Sequence, residues 1–213
     1  MLDRALRSFL ARPLGAAAAA IDRPGVTPDG LTIAGLVLGV ASATTAALQL
    51  WAVALALWLI SRVLDGLDGT LARRRRGRAQ LQGAPSPPSE AGGFLDITAD
   101  FVVYGASVVG IAIGATAQFD GPWWPFLLVL FAYYVNGTAF LAFSSIAERT
   151  GRTIDDGRSL SFLGRLAEGT ETIVVHALWL ILPFWAWQIA LVWSAFVAVS
   201  AVQRIVAGYL RLR

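Results

Sequence analysis

The 213-residue sequence has no cysteine, no lysine and a single histidine. Without cysteine there is no disulfide framework, no thiolate metal ligand and no thiol nucleophile. With one histidine besides, a zinc centre lacks its usual ligands. Charge is scarce too: 15% of residues are charged against 56% hydrophobic, and the mean hydropathy is +0.63. A soluble domain of this length needs far more charge to cover its surface, so the chain belongs among membrane proteins, with length for one domain, 1–213. All 17 basic residues are arginine, which reads as genomic bias. The net charge of +3 reflects arginines at membrane edges. No stretch interleaves aromatic and basic residues as a single-strand binder does, so nucleic acid is not an expected partner.

What the sequence has in plenty is apolar runs. Six are long enough to span a bilayer: 31–48, 51–72, 94–117, 124–146, 166–183 and 187–209. The expected fold is all-α, a polytopic membrane protein with six transmembrane helices. Gly35/Gly39 and Gly110/Gly114 have the spacing that lets helices approach closely. Arginines precede the first run, follow the second (Arg73 to Arg78), lie between the fourth and fifth (Arg149, Arg152, Arg158, Arg165) and end the chain. The other three connections, near Gln49, Asp120 and Trp185, carry none and are instead rich in tryptophan: Trp51, Trp123, Trp124, Trp185 and Trp187. The positive-inside rule and the aromatic belt then put both termini and every arginine-bearing loop in the cytoplasm.

The N-terminus, "MLDRALRSFLARPLG", sets Leu2, Leu6, Phe9 and Leu10 on one helical face and Asp3, Arg4, Arg7 and Arg12 on the other. This predicts an interfacial amphipathic helix over 1–22 rather than a signal peptide. Thr27 and Asp29 are candidate caps for the first span. Residues 74–92, with three prolines and no apolar periodicity, predict a flexible cytoplasmic loop.

Against this apolar background four carboxylates stand out. Asp65 and Asp68 are spaced i,i+3, about 60° apart around a helix, and Asp96 and Asp100 i,i+4, about 40° apart. Each pair shares a face near the cytoplasmic end of its span, and consecutive antiparallel helices let the two faces meet. An aspartate at the bilayer centre costs roughly 2.5–3.5 kcal/mol, so four unpaired would cost on the order of 10 kcal/mol. Ion pairs with Arg62 or Arg204, or protonation, could offset that, but converging hard oxygen ligands suit Mg²⁺, Mn²⁺ or Ca²⁺. Gly69 and Ala72 lie beside Asp68 where a missing or small side chain admits a ligand. Arg73, one turn on, suits bidentate phosphate contact. Together they describe a phosphate-ester site.

"DGLDGTLAR" followed by "GGFLDITAD" resembles the signature of the CDP-alcohol phosphotransferase (CDP-alcohol phosphatidyltransferase) family, D-x-x-D-G-x-x-A-R, a spacer, then G-x-x-x-D-x-x-x-D. The matched positions are Asp65, Asp68, Gly69, Ala72, Arg73, Gly92, Asp96 and Asp100. The spacer is about ten residues longer than the family's usual one, and its Pro/Gly/Ser-rich composition reads as a loop insertion. "TPDGLT" resembles the family's approach to the first span, with Asp29 where Asn is more common. "GTAFLAFSSIAER" and "GRLAEGTETIVVH" are similar to a proteobacterial inner-membrane branch of the family whose acceptor is unassigned. The resemblance implies a six-helix bundle, often a homodimer, with two divalent ions, Mg²⁺ or Mn²⁺, on Asp65, Asp68, Asp96 and Asp100. It implies that Asp100 takes the acceptor hydroxyl's proton and that Gly69, Ala72 and Arg73 receive the cytidine and pyrophosphate. The reaction implied is phosphatidyl transfer from CDP-diacylglycerol to a small hydrophilic alcohol, with release of CMP, in a bacterial inner membrane. Two ions can stabilise the charge on the leaving CMP, and a metal-bound carboxylate is a weak base unless the hydroxyl is held within hydrogen-bond reach.

Other residues carry weaker signals. Glu168, Glu171, Arg149 and Arg152 are candidates for acceptor contact; the arginines would suit a phosphorylated acceptor such as glycerol phosphate or inositol phosphate. Helix-start preference for acids and the topology rule explain them equally well. His176 reads as a core histidine and Asn136 as an interhelical hydrogen-bonding residue. A divalent-cation transporter would also use intramembrane aspartates, but would need them reachable from both faces and leaves Gly69, Ala72 and Arg73 unexplained. Prenyltransferases share the metal logic but lack D-G-x-x-A-R.

Overall fold

The computed structural model describes residues 2–84, 89–151 and 169–213, and every regular element among them is helical. The helices are α1 (Leu2–Ile21), α2 (Pro28–Ala47), α3 (Trp51–Leu81), α4 (Glu90–Phe119), α5 (Trp124–Thr150), α6 (Gly169–Ile181) and α7 (Ala186–Leu212), with a 3-10 turn, Pro183–Trp185, leading into α7. Local chemistry sets their ends. Thr27 caps α2 by accepting from the Gly30 N–H at 3.0 Å, and Pro28, which has no N–H to satisfy, opens its first turn. Ser89 does the same for α4 through the Gly92 N–H, also 3.0 Å. At the other ends, Asp120 (φ 51°) and Gly151 (φ 66°) adopt the left-handed conformation that stops a helix.

Four stretches are long and apolar enough to cross a membrane: α2, α4, α5 and Pro183–Leu212, with hydropathies of 1.6 to 1.8. These account for four of the six expected spans; α3 and α6 do not meet the same measure of length and composition among the described residues. α3 has the length, 31 residues, but Arg62, Asp65 and Asp68 interrupt its apolar run. α6 has 13 residues, and part of its expected run, 166–168, lies outside the described residues. The expected loop 74–92 is also corrected. α3 continues to Leu81 and α4 begins at Glu90, because arginine and alanine are good helix formers and the prolines are confined to 85–88.

α3 and α4 each pack along α2 rather than along each other, while α5 pairs with α7 and α6 leans on α3. The two Asp-bearing helices therefore face each other across a cleft floored by α2, and their acidic faces meet there as expected. Small residues allow it. Gly110 and Gly114 of α4 lie so close to the Ala43 and Ala46 backbone that no Cβ would fit. Gly39 of α2 abuts both Val103 of α4 and Ser61 of α3. Deeper in the bundle Trp58, Val103, Ile111, Phe126, Trp179 and Val197 are wholly or almost wholly buried. The outer faces carry residues such as Val37, Phe131 and Val202, each more than half exposed, as a lipid-facing surface requires.

The arginine-free ends gather at one end of the bundle. Trp51 donates to Gln118 Oε1 at 2.6 Å, Phe119 meets Phe184 edge-on at 5.7 Å, and Gly121 abuts Trp187. At the opposite end, Asp22, just past α1, accepts from Arg75 Nε and pairs with Arg78 Nη2, both at 2.9 Å, and with Arg74 Nε at 3.3 Å. Leu14 of α1 lies over Gly66, between the two aspartates of α3. The segment that follows α1 is therefore docked on the arginine-rich extension of α3.

The hydrogen bond from Arg75, with Arg78 and Arg74 beside it, holds the Asp22 carboxyl below its ordinary value of 3.8. A depressed folded value makes this docking fully present above pH 3.8 and lost as pH falls through the lower folded value. A spin label at Ala16→Cys, the sole cysteine in such a variant, should become mobile in that acid window. With Asp22→Asn added it should already be mobile at neutral pH.

Candidate metal and phosphate site

The arginine-rich half of the cleft is walled by α3, carrying Asp65 and Asp68, and by α4, carrying Asp96 and Asp100. The four carboxylates lie within electrostatic reach of one another, and Arg73 reaches Asp68 and Asp96. Each of the closest contacts fixes one carboxylate. Thr32 of α2 donates to Asp68 Oδ2 at 2.5 Å, while Asp68 Oδ1 accepts the Gly69 N–H. Arg62 donates through Nη1 to Asp100 Oδ1 at 2.7 Å, and the same nitrogen is 3.6 Å from Asp65 Oδ1. Asp68 is buried, whereas Asp65 and Asp100 keep 27% and 37% of their side chains exposed and so face the open part of the cleft.

Gly69 and Arg73 form a second feature on the same wall. A Cβ at Gly69 would stand 3.1 Å from Arg73 Nη1, so the glycine gives the guanidinium room to fold back across the helix. Arg73 Nη2 donates to Thr70 Oγ1 at 3.2 Å, and Thr70 in turn donates to the Gly66 carbonyl. The arginine is exposed, so its fork is available to a phosphate while its stem is aimed by the helix. Ala72 is half-buried beside it. Gly92, in the first turn of α4, abuts the Asp29 carboxylate, where a Cβ would come within 3.2 Å. The eight motif positions thus converge on one end of one cleft.

The donor set suits divalent cations. All four side chains offer hard carboxylate oxygens, and one buried arginine offsets only part of their charge. Among the described residues no three acids stand close enough together to hold an ion. Arg62 Nη1 lies between Asp100 and Asp65, 2.7 Å from one carboxylate and 3.6 Å from the other.

The other candidates are placed differently. Glu171 is half-buried in the first turn of α6, its Oε2 lacking a hydrogen-bond partner among the described residues. Arg149 is exposed near the end of α5. Arg152 and Glu168 lie outside the described residues. Arg204 donates to the Asn136 carbonyl at 3.5 Å and lies over Phe140. Asn136 thus joins two helices through its backbone, and its side-chain oxygen is buried without a partner among the described residues. His176 is fully buried among Trp58, Tyr104 and Trp179, but its ring nitrogens likewise lack partners there, so the expected satisfied histidine is corrected to an apolar-packed one. Thr32 was not among the sequence candidates. A hydroxyl one turn beyond Pro28, at the depth of the aspartates, was its only signal.

Carboxylates, glycine and a folded-back arginine on a membrane helix define a phosphate-ester site, and comparison with known proteins identifies its class. Residues 25–201 match the profile of the CDP-alcohol phosphatidyltransferases, and the chain belongs to this family of phosphatidyl-transferring enzymes. It is 37% identical to the inner membrane protein YnjF of Escherichia coli over 100% of this chain and 98% of that one. It is 30% identical to the archaetidylinositol phosphate synthase of Pyrococcus horikoshii, over 70% of this chain and 77% of that protein. The fold matches the phosphatidylinositol phosphate synthase PgsA1 of Mycobacterium tuberculosis, crystallised with manganese and citrate. The TM-score is 0.67 at 21% identity, covering 92% of this chain and 88% of that one. The same enzyme with CDP-DAG bound gives 0.62 at 24% identity, covering 94% and 92%.

If the four aspartates are the ion ligands, Asp96→Asn should weaken Mn²⁺ binding by at least about tenfold in calorimetric titration, with an unchanged melting profile. Unchanged affinity would exclude Asp96 from the ligand set.

Proposed function

We propose that the protein transfers the phosphatidyl group of CDP-diacylglycerol to a small hydrophilic alcohol and releases CMP. The observation that carries this reading is the convergence of Asp65, Asp68, Asp96 and Asp100 with Arg73, folded across Gly69, at one mouth of the α3–α4 cleft. Two divalent ions, Mg²⁺ or Mn²⁺, would be held by the four aspartates and would supply charge neutralisation for the phosphates. Gly69, Ala72 and Arg73 receive the cytidine and pyrophosphate, with the Arg73 fork on phosphate oxygens.

Asp100 is the general base. The acceptor oxygen forms a bond to the phosphatidyl phosphorus as the bond from that phosphorus to the CMP oxygen breaks. The hydroxyl proton passes to the Asp100 carboxylate, and CMP departs with the bonding electrons. The partial exposure of Asp100 supports this role, because an acceptor arriving from the cytosol can reach it. The relatives point the same way: a protein named for synthesis of archaetidylinositol phosphate and one crystallised with CDP-DAG.

The reading extends to the chain's setting. It has six crossings, counting α3 and α6, in a bacterial inner membrane with both termini cytoplasmic, and works as a homodimer. The clustering of the arginine-free, tryptophan-rich ends supports that orientation. The acceptor is phosphorylated, glycerol phosphate or inositol phosphate, contacted by Glu168, Glu171, Arg149 and Arg152; the arginines of that connection support an anionic group.

Purified protein with CDP-diacylglycerol and Mn²⁺ should release CMP in the presence of one alcohol from a panel of phosphorylated and free acceptors. Asp100→Asn should lower turnover by on the order of 100-fold or more while still binding CDP-diacylglycerol. Absence of any CDP-diacylglycerol binding would overturn the reaction class. Full turnover by Asp100→Asn would remove it as the base.

A further inference from the structure

Arg62 is the charged group in this site that the reaction itself does not use. It is 8% exposed, deep in the cleft, and four helices build its seat. Its guanidinium packs against the rings of Trp58 on α3 and Tyr104 on α4, 5.2 and 5.1 Å from their centroids, which are themselves 5.7 Å apart. His176 of α6 closes the layer behind them, 4.8 Å from Trp58 and 5.4 Å from Tyr104, and Trp58 Nε1 donates to the Ile173 carbonyl at 3.2 Å. Arg62 Nη2 donates to Ser61 Oγ at 3.0 Å, and Ser61 donates to the Gly35 carbonyl of α2 at 2.7 Å. The guanidinium is therefore held against a pair of aromatic rings and along one edge before any carboxylate is considered.

The free edge meets the acids. Nη1 bonds Asp100 Oδ1 at 2.7 Å and approaches Asp65 Oδ1 at 3.6 Å, reaching from α3 to α4 across the cleft. Exposure tells which partner is fixed: 5% of the Arg62 side chain is accessible against 37% of Asp100. The arginine is anchored and the carboxylate adjusts to it. Asp100 has one oxygen held and the other left for chemistry.

We propose that Arg62 is a positioning residue, which orients the Asp100 carboxylate, and secondarily Asp65, for the ion binding and proton transfer assigned to them above; the inference rests on that reading. An arginine suits the task better than a lysine. Its planar fork can pack on two rings while one nitrogen serves Ser61 and the other the carboxylates. A purely structural ion pair would tie α3 to α4 without affecting what Asp100 does. The two roles separate experimentally, because orientation of a ligand changes ion affinity and turnover, and a tie changes stability alone.

The experiment compares wild type, Arg62→Met, Arg62→Lys and Asp96→Asn by calorimetric titration with Mn²⁺, by CMP release and by thermal unfolding. Arg62→Met should weaken Mn²⁺ binding about tenfold and lower kcat about 10–100-fold, leaving KM for CDP-diacylglycerol within about twofold. Arg62→Lys, which keeps the charge and a donor but not the planar fork, should recover only part of both losses. Tighter Mn²⁺ binding in Arg62→Met would mean that the arginine competes with the ion, and would overturn the proposal. So would wild-type affinity and kcat, or a loss of stability alone that Lys does not relieve. Should Arg62→Met fail to fold, Arg62→Gln replaces it, and wild-type values there overturn the proposal equally. The control separates the two readings. If Asp96→Asn binds Mn²⁺ normally, the carboxylate site fails and Arg62 falls with it. If Asp96→Asn loses Mn²⁺ and Arg62→Met does not, only the role of Arg62 fails.

Discussion

The hydrogen bond from Arg62 to Asp100 joins the two helices that carry the acids, and much of the bundle can be understood from what it demands. A guanidinium and several carboxylates taken from water must exchange hydration for fixed partners, since a buried charge left alone costs several kcal/mol. Two aromatic rings, a serine and two acids surround this arginine, and a threonine and a backbone N–H serve Asp68. α2 makes the arrangement possible. Its small residues let α3 and α4 lean on it closely enough for their side chains to reach each other, yet leave their backbones apart. A tighter α3–α4 contact would close the space a ligand needs.

Electrostatics and packing divide the length of the bundle between them. One end is held by tryptophan, phenylalanine and glycine contacts among arginine-free turns; the other by acids and arginines, from Asp22 on the extension of α3 to the four aspartates of the cleft. The aromatic layer of Trp58, Tyr104 and His176 lies between the two regimes. It belongs to the apolar core on one side and supports a charged residue on the other. It also holds a histidine whose ring packs against Trp58, Tyr104 and Trp179 with no hydrogen-bond partner among the described residues.

Much of this was legible in the residues. Aspartates inside apolar runs are costly enough that their spacing reads directly as a site, and Thr27, Gly110 and Gly114 took the roles that their types suggested. Arg62 was visible as a partner for the acids, but its seat was not, because Trp58 is one helical turn away while Tyr104 and His176 come from other helices. The boundaries of 74–92 were misread for a different reason. Apolar periodicity marks a helix that buries a face, and the end of α3 instead continues on arginine and alanine propensity and is met by Asp22. The cleft between α3 and α4 follows from both preferring α2, a choice among tertiary contacts that periodicity does not encode.

The division of the bundle also bears on its biogenesis. α2, α3 and α4 pack chiefly among themselves, as do α5 and α7, and all four aspartates lie before residue 101. A ribosome adds roughly 5–20 residues per second, so the acidic cleft is threaded into the bilayer several seconds before the chain is finished. During that interval Trp58 and Tyr104 are present, but the His176 layer behind them and the Ile173 carbonyl are not. The nascent three-helix unit therefore holds its buried charges in an unsealed seat. The arrival of α6 is the step that turns a provisional assembly into a closed one.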